Sequence, residues 1–135
     1  MGEKMNTGDH IVRNLIANGV ETVFGLPGVQ TYPLFDALAR NADKIRTVSA
    51  RHEQATAYMA LGYAKSTGRP SVYSVVPGPG VLNTGAALCT AYGVNAPIMC
   101  LTGQVPSEFH GRERGHLHEL ADQQATLSRF IKAAH

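Results

Sequence analysis

Residues Arg51 to Gly68 read RHEQATAYMALGYAKSTG, and the way this stretch folds decides the rest of the chain. With Glu53 as origin on a helical wheel of 3.6 residues per turn, Ala57, Ala60 and Ala64 fall within about 40° of it, on one narrow stripe. A carboxylate therefore heads a seam of alanines. Such a seam lets another backbone or a flat ligand approach closely, and a carboxylate drawn into it loses water at real cost unless a partner meets it. Gly68 and Pro70 punctuate the end of the predicted helix.

Outward from this helix the pattern alternates. Upstream, Ile11, Val12, Leu15 and Ile16 recur at helical spacing, with Thr7 or Asp9 as the expected cap and Gly19 as terminator. A β-prone run, Thr22 to Phe24, breaks into the turn Gly25, Leu26, Pro27, Gly28. A second helix is carried by Tyr32, Leu34, Phe35 and Leu38, and a second strand by Ile45 to Val48. Downstream, Ser71 to Val76 (SVYSVV) reads as a strand buried in a parallel sheet and ends in Pro77, Gly78, Pro79, Gly80. One helix is expected over Val81 to Tyr92 and a strand over Pro97 to Thr102. A polar connection follows from Gln104 to His118, then a short helix near Asp122 to Ser128 and a last strand at Phe130 to Lys132. Alternating strands and helices imply right-handed crossovers: an α/β domain with a parallel sheet of five to six strands and helices on both faces. Residues 1–135 make one domain, with 1–6 a flexible start. Ligands of such sheets bind beyond the carboxyl ends of the strands, where Gly25–Gly28, Glu53 and Gly78–Gly80 all fall.

Composition narrows the function classes. A net charge of +2 with 16% charged residues leaves no basic stripe for nucleic acid. No apolar run approaches the ~20 residues that cross a bilayer, and the start MGEKMNTGDH carries no apolar signal core, so a cytoplasmic protein is expected. Cys89 and Cys100 lie in apolar contexts without CxxC spacing and read as reduced, buried thiols.

Each motif has an ordinary reading beside the functional one. His52-Glu53 lacks the second histidine of a zinc HExxH helix, because that position is Thr56. Glu53 is either a first-turn glutamate favoured by the helix dipole or a functional carboxylate, and the alanine seam favours function. Gly78-Pro79-Gly80 with Asn83 resembles a dinucleotide fingerprint without its third glycine, and Pro79 removes an N–H that a phosphate would use. The ordinary alternative is a tight strand-to-helix turn. His110, His116 and His118 lie near Glu119 and Asp122, yet their spacing matches no standard metal site. A solvated loop is the plainer reading.

Four segments, in order, are GVETVFGLPG, RHEQATAYMALGYAKSTG, the GPGVLN turn and PIMCLTGQVP, spanning most of Gly19 to Pro106. Their order and separation resemble the N-terminal, pyrimidine-binding domain of thiamine diphosphate-dependent enzymes, in particular the acetolactate synthase and pyruvate oxidase-like group. The resemblance implies that Glu53 hydrogen-bonds N1′ of the cofactor's aminopyrimidine and activates it. It places Pro27, Gly28 and Val29 along the pyrimidine and substrate side of the crevice, with Gly78, Pro79, Gly80 and Asn83 packed by the same ring. Gln104 matches the glutamine of a TGQV motif, and His52 is expected as a polar wall residue.

After TGQVP this chain reads GRERGHLHELADQQ where acetolactate synthases carry an aromatic-Gln-Glu stretch, so His116 and His118 are expected to occupy that part of the substrate pocket. The implied activity is that of a decarboxylase or carboligase acting on a 2-oxo acid. The family's diphosphate and Mg²⁺ are held by a GDG…N motif on a separate domain, which this sequence lacks. A partner diphosphate-binding domain, from another subunit of a homo-oligomer, is therefore implied. FAD is compatible with the group, but no residue here points to it. The chain reads as a piece ending at a domain boundary or as a separately encoded small subunit. An isolated domain of this kind is expected to self-associate through surface its partner would cover. Two readings of other classes stand beside this one: a non-catalytic binding or assembly module of the same fold, and a nucleotide-binding Rossmann domain.

Overall fold

The computed structural model describes residues 5–135, so four of the six residues expected as a flexible start lie outside it. The first helix, α1 (Thr7–Ala17), begins on a reciprocal cap. The Asn6 side chain accepts from the Asp9 N–H, and the Asp9 carboxylate accepts from the Asn6 N–H. The cap is thus Asn6 rather than Thr7 or Asp9, because the box pairs a cap residue with an acidic side chain three positions later. The Asn6 N–H and then the Arg40 guanidinium hold the Asp9 carboxyl below its usual range. Arg40, which also pairs with Asp36, thereby ties α1 to α2 (Tyr32–Arg40).

The strands are β1 (Thr22–Gly25), β2 (Arg46–Ser49), β3 (Ser71–Val75) and β4 (Ile98–Thr102). They pair in the order β2-β1-β3-β4, all parallel. Side chains alternate across the sheet and separate two cores. Val23 and Val72 face Val12, Leu15, Leu34, Ala37 and Leu38 of α1 and α2. Phe24, Tyr73 and Val75 face α3 (Glu53–Thr67), α5 (Gly85–Gly93) and α6 (Gln123–Leu127), meeting Ala57, Ala60, Leu88 and Leu127.

Two expected elements differ. The sheet has four strands among the described residues, not five or six, and Phe130–Lys132 is bent chain. Phe130 and Ile131 both pack on the α3-side core, whereas adjacent residues of a strand point to opposite faces. The single helix expected over Val81–Tyr92 is two: α4 (Pro79–Leu82), then α5. The break is at Thr84, whose fully buried hydroxyl donates back to the Val81 carbonyl at 2.6 Å and accepts from Tyr73 at 3.1 Å. A side chain that satisfies a local carbonyl competes with the helical ladder. The expectation for the thiols also divides. Cys89 is exposed on the outer side of α5, while Cys100 is half-buried in β4 and its thiol is pushed up to about 11 by desolvation.

Ala57, Ala60 and Ala64 are 0–2% exposed, so the seam has a backbone occupant: α3 lies directly on the sheet and α5. Gly68 ends the helix at φ +68°, its N–H returning to the Ala64 carbonyl. Ala60→Leu is expected to force α3 off the sheet at a cost of about 1–3 kcal/mol, read as a lower denaturation midpoint in urea.

Candidate functional site

All four strands run the same way, so the chain leaves Gly25, Ser49, Val75 and Thr102 at one edge. β1 and β3 are neighbours whose continuations go to opposite sides, β1 towards β2 and β3 towards β4. The loops after them separate and leave a crevice at this switch point.

Glu53 opens α3 beside this crevice. Its Oε2 accepts from Asn83 Nδ2 at 3.0 Å. Oε1 has no hydrogen-bond partner among the described residues and stands 3.7 Å from where a Cβ on Gly80 would be. Gly80 packs its bare Cα against Val76, and Gly28 meets the same valine from the other loop. Gly28 is fixed by the buried Thr31, whose hydroxyl accepts from the Gly28 N–H at 3.1 Å and donates to the Gly28 carbonyl at 3.0 Å. Pro27 and Val29 stay exposed on this turn, and Pro79 on the opposite one.

Gly78 sits at φ +60°, and a Cβ there would overlap the His118 carbonyl. Its N–H donates to Gln123 Oε1 at 2.8 Å in a buried contact. The segment carrying His118 and the start of α6 therefore lie over the Gly78 turn. His118 Nδ1 is 2.7 Å from Gln30 Oε1, and Gln30 Nε2 donates to the Leu117 carbonyl at 3.0 Å. Thus Glu53, Asn83 and Gly80 come together, and the His118 segment bridges Gly78 and Gln30, the residue that follows the Pro27–Val29 turn.

Other expected site residues are placed elsewhere. His52 is exposed and caps α3, its Nδ1 accepting from the Gln54 N–H at 3.2 Å. The Gln104 side chain folds onto the Val105 N–H at 2.8 Å and is exposed. His116 stacks on Phe109 with ring centroids 4.2 Å apart. Glu119 accepts from the His116 and Glu113 N–H groups, led by the His116 bond, and this holds its carboxyl below the usual range. Among the described residues no three His, Cys, Asp or Glu side chains converge as a metal site, and no helix is long and apolar enough to cross a membrane. Gln30, Thr31 and Gln123 were not singled out from the sequence. Their partners are three, 45 or more than 85 residues away, and only Thr31, three residues beyond Gly28, carried a local turn signal.

The family described as "Thiamine pyrophosphate enzyme, N-terminal TPP binding domain" matches residues 5–126. The chain belongs to this family. Among its relatives, a Pseudomonas aeruginosa protein described as "Probable 2-ketoarginine decarboxylase" is 41% identical over 90% of this chain and 21% of its own length. The mitochondrial acetolactate synthase catalytic subunit of Saccharomyces cerevisiae is 38% identical over 79% of this chain and 16% of its own. The acetolactate synthase isozyme 1 large subunit of Escherichia coli is 37% identical over 78% and 18%. The chain thus spans about a fifth of the length of these relatives. Within the family, the four-stranded parallel sheet and its helices are the thiamine pyrophosphate-binding fold.

Two tests bear on the loops. Gly78→Ala is expected to displace the His118 segment and lower the melting temperature, because the new methyl meets backbone that has no rotamer to yield. Glu119→Ala is expected to accelerate tryptic cleavage after Arg112 and Arg114. The Glu119 carboxyl lies below its unfolded value in the folded chain. Its contribution is therefore complete above the ordinary glutamate range and is lost as pH falls through the folded value. Hydrogen exchange of the His116 amide should rise relative to the core across that acid range.

Proposed function

We propose that this chain is the pyrimidine-binding half of the active site of a thiamine diphosphate-dependent decarboxylase or carboligase that acts on a 2-oxo acid. The observation that carries the reading is the Glu53 carboxylate at the switch point, with one oxygen held by Asn83 and the other without a partner among the described residues. A carboxyl in that state suits a ring nitrogen that must gain or lose a proton. The two glycines packed on Val76 keep both flanking turns free of side chains, which suits a flat ring. The donor set fits only one end of the cofactor. Among the described residues no metal-binding group lies at this edge, and Pro79 offers no N–H to a phosphate.

When bound, thiamine diphosphate supplies a carbon nucleophile for the substrate carbonyl. Glu53 would hold the proton at its free Oε1 against the pyrimidine nitrogen, and Asn83 would keep that carboxyl turned toward the ring. Pro27, Gly28 and Val29 on one side, with Gly78, Pro79 and Gly80 on the other, would line the ring. His118 would stand on the substrate side, and His52 would act as the helix cap that sets Glu53. The diphosphate and Mg²⁺ would be held by a diphosphate-binding domain, contributed by another subunit of a homo-oligomer. Relatives described as a 2-ketoarginine decarboxylase and as acetolactate synthases support the 2-oxo acid class.

In the complete enzyme, Glu53→Gln is expected to slow exchange of the cofactor's C2 proton by about 10²-fold or more, in the range that a positioned acid or base contributes. Asn83→Ala should give a smaller loss. An unchanged exchange rate in Glu53→Gln would overturn the assignment.

A further inference from the structure

We propose that Gln30 is a positioning residue that commits His118 to the tautomer with its proton on Nδ1, leaving Nε2 as the proton acceptor of a ring carried by the segment that lies over the Gly78 turn of the crevice. The inference rests on the reading of that crevice given above only for its chemical consequence. The tautomer itself follows from the local geometry.

The chain of donors leaves one assignment. The Leu117 carbonyl can only accept, so the Gln30 atom 3.0 Å from it is the amide nitrogen. Reversing the amide would set two acceptor oxygens against each other. Gln30 Oε1 therefore faces His118 Nδ1 at 2.7 Å, and since Oε1 can only accept, Nδ1 must carry the hydrogen. A neutral imidazole has one N–H, so Nε2 is left with its lone pair. If His118 gains a proton, it does so at Nε2, and the bond at Nδ1 survives. The ring can then take and return a proton without releasing its anchor.

One feature of the fold makes room for Gln30, and another marks His118 as held in place. A Cβ on Gly103 would come within 2.8 Å of the Gln30 carbonyl oxygen and 2.9 Å of its Cβ, so the glycine after β4 makes room for Gln30. His118 itself lies at φ +65°, a conformation that non-glycine residues adopt rarely and that surrounding contacts must hold. The Gln30 amide thus joins the loop after β1 to the His118 segment, whose backbone packs on Gly78 after β3, while Gly103 after β4 lies against the Gln30 backbone and Cβ. His52 provides the contrast. Its Nδ1 accepts from the Gln54 N–H, which requires the proton on Nε2. The structure therefore assigns opposite tautomers to two histidines of one protein.

Long-range ¹H–¹⁵N correlation spectra of the chain at about pH 8, where an ordinary imidazole is neutral, read both tautomers directly. His118→Gln identifies the His118 signals by their loss, and His52 serves as internal reference. The expected result is a protonated Nδ1 for His118 and a protonated Nε2 for His52. Gln30→Leu should shift His118 toward the Nε2–H form while His52 is unchanged. Gln30→Glu should keep Nδ1–H, since a carboxylate still accepts, although it can no longer donate to Leu117. A protonated Nε2 in wild-type His118 would overturn the proposal. So would an unaltered Nδ1–H signal in a folded Gln30→Leu chain. If Gln30→Leu does not fold, Gln30→Glu decides, and loss of Nδ1–H there overturns it. No cofactor enters this measurement, so it fails separately from the C2 exchange test of Glu53.

Discussion

The structure depends on how closely α3 lies on the sheet. Ala57, Ala60 and Ala64 present single methyl groups to β1, β3 and α5, and nothing larger fits between helix and strands. The close approach brings the first turn of α3 level with the ends of β1 and β3, where the sheet's connections diverge. Glu53 then reaches Asn83 across 3.0 Å, although the two are thirty residues apart. A bulkier residue on the seam would act at a distance, by moving a carboxylate it never touches.

The crevice is assembled from loops that are each pinned by a specific polar contact. Thr31 closes the turn at Gly28, Gln123 holds the Gly78 amide, and Gln30 joins the His118 segment to the loop after β1. Glu119 gathers the backbone of its own loop. The polar groups sit at the carboxyl edge of the sheet, and the two apolar cores lie beneath them. One end of this edge has a carboxylate and small, close-approaching residues suited to an aromatic ring. Among the described residues the same edge has no cluster suited to a metal-bound diphosphate. That division accords with a chain that spans about a fifth of the length of the relatives it matches.

Most of the fold was legible because its signals are local. Apolar spacing marked α1, α2 and α3, and β-branched runs marked β1, β3 and β4. The misreadings lie where distant contacts outweigh local preference. Small residues from Val81 to Tyr92 read as one helix, but Thr84 is claimed by Tyr73 and the helix breaks there. Phe130 and Ile131 looked like a strand, but both turn to one core. For the candidate site, Glu53 and the two glycine turns were visible as motifs, whereas the hydrogen bond from Asn83 to Glu53 appeared only in the structure. Gln30 had no motif, since its importance comes from a partner 88 positions away.

By itself, then, the sequence determined a parallel α/β sheet, the order of its elements, and a carboxylate at the head of an alanine seam, because periodicity, turn residues and spacing are properties of neighbouring residues. Only the tertiary structure decided what fills the seam, which is sheet and helix rather than ligand, and which polar side chains meet at the strand ends. Those choices depend on which surfaces pack together and on which donors and acceptors remain for one another once the core is closed, and neither is encoded in any single stretch of chain.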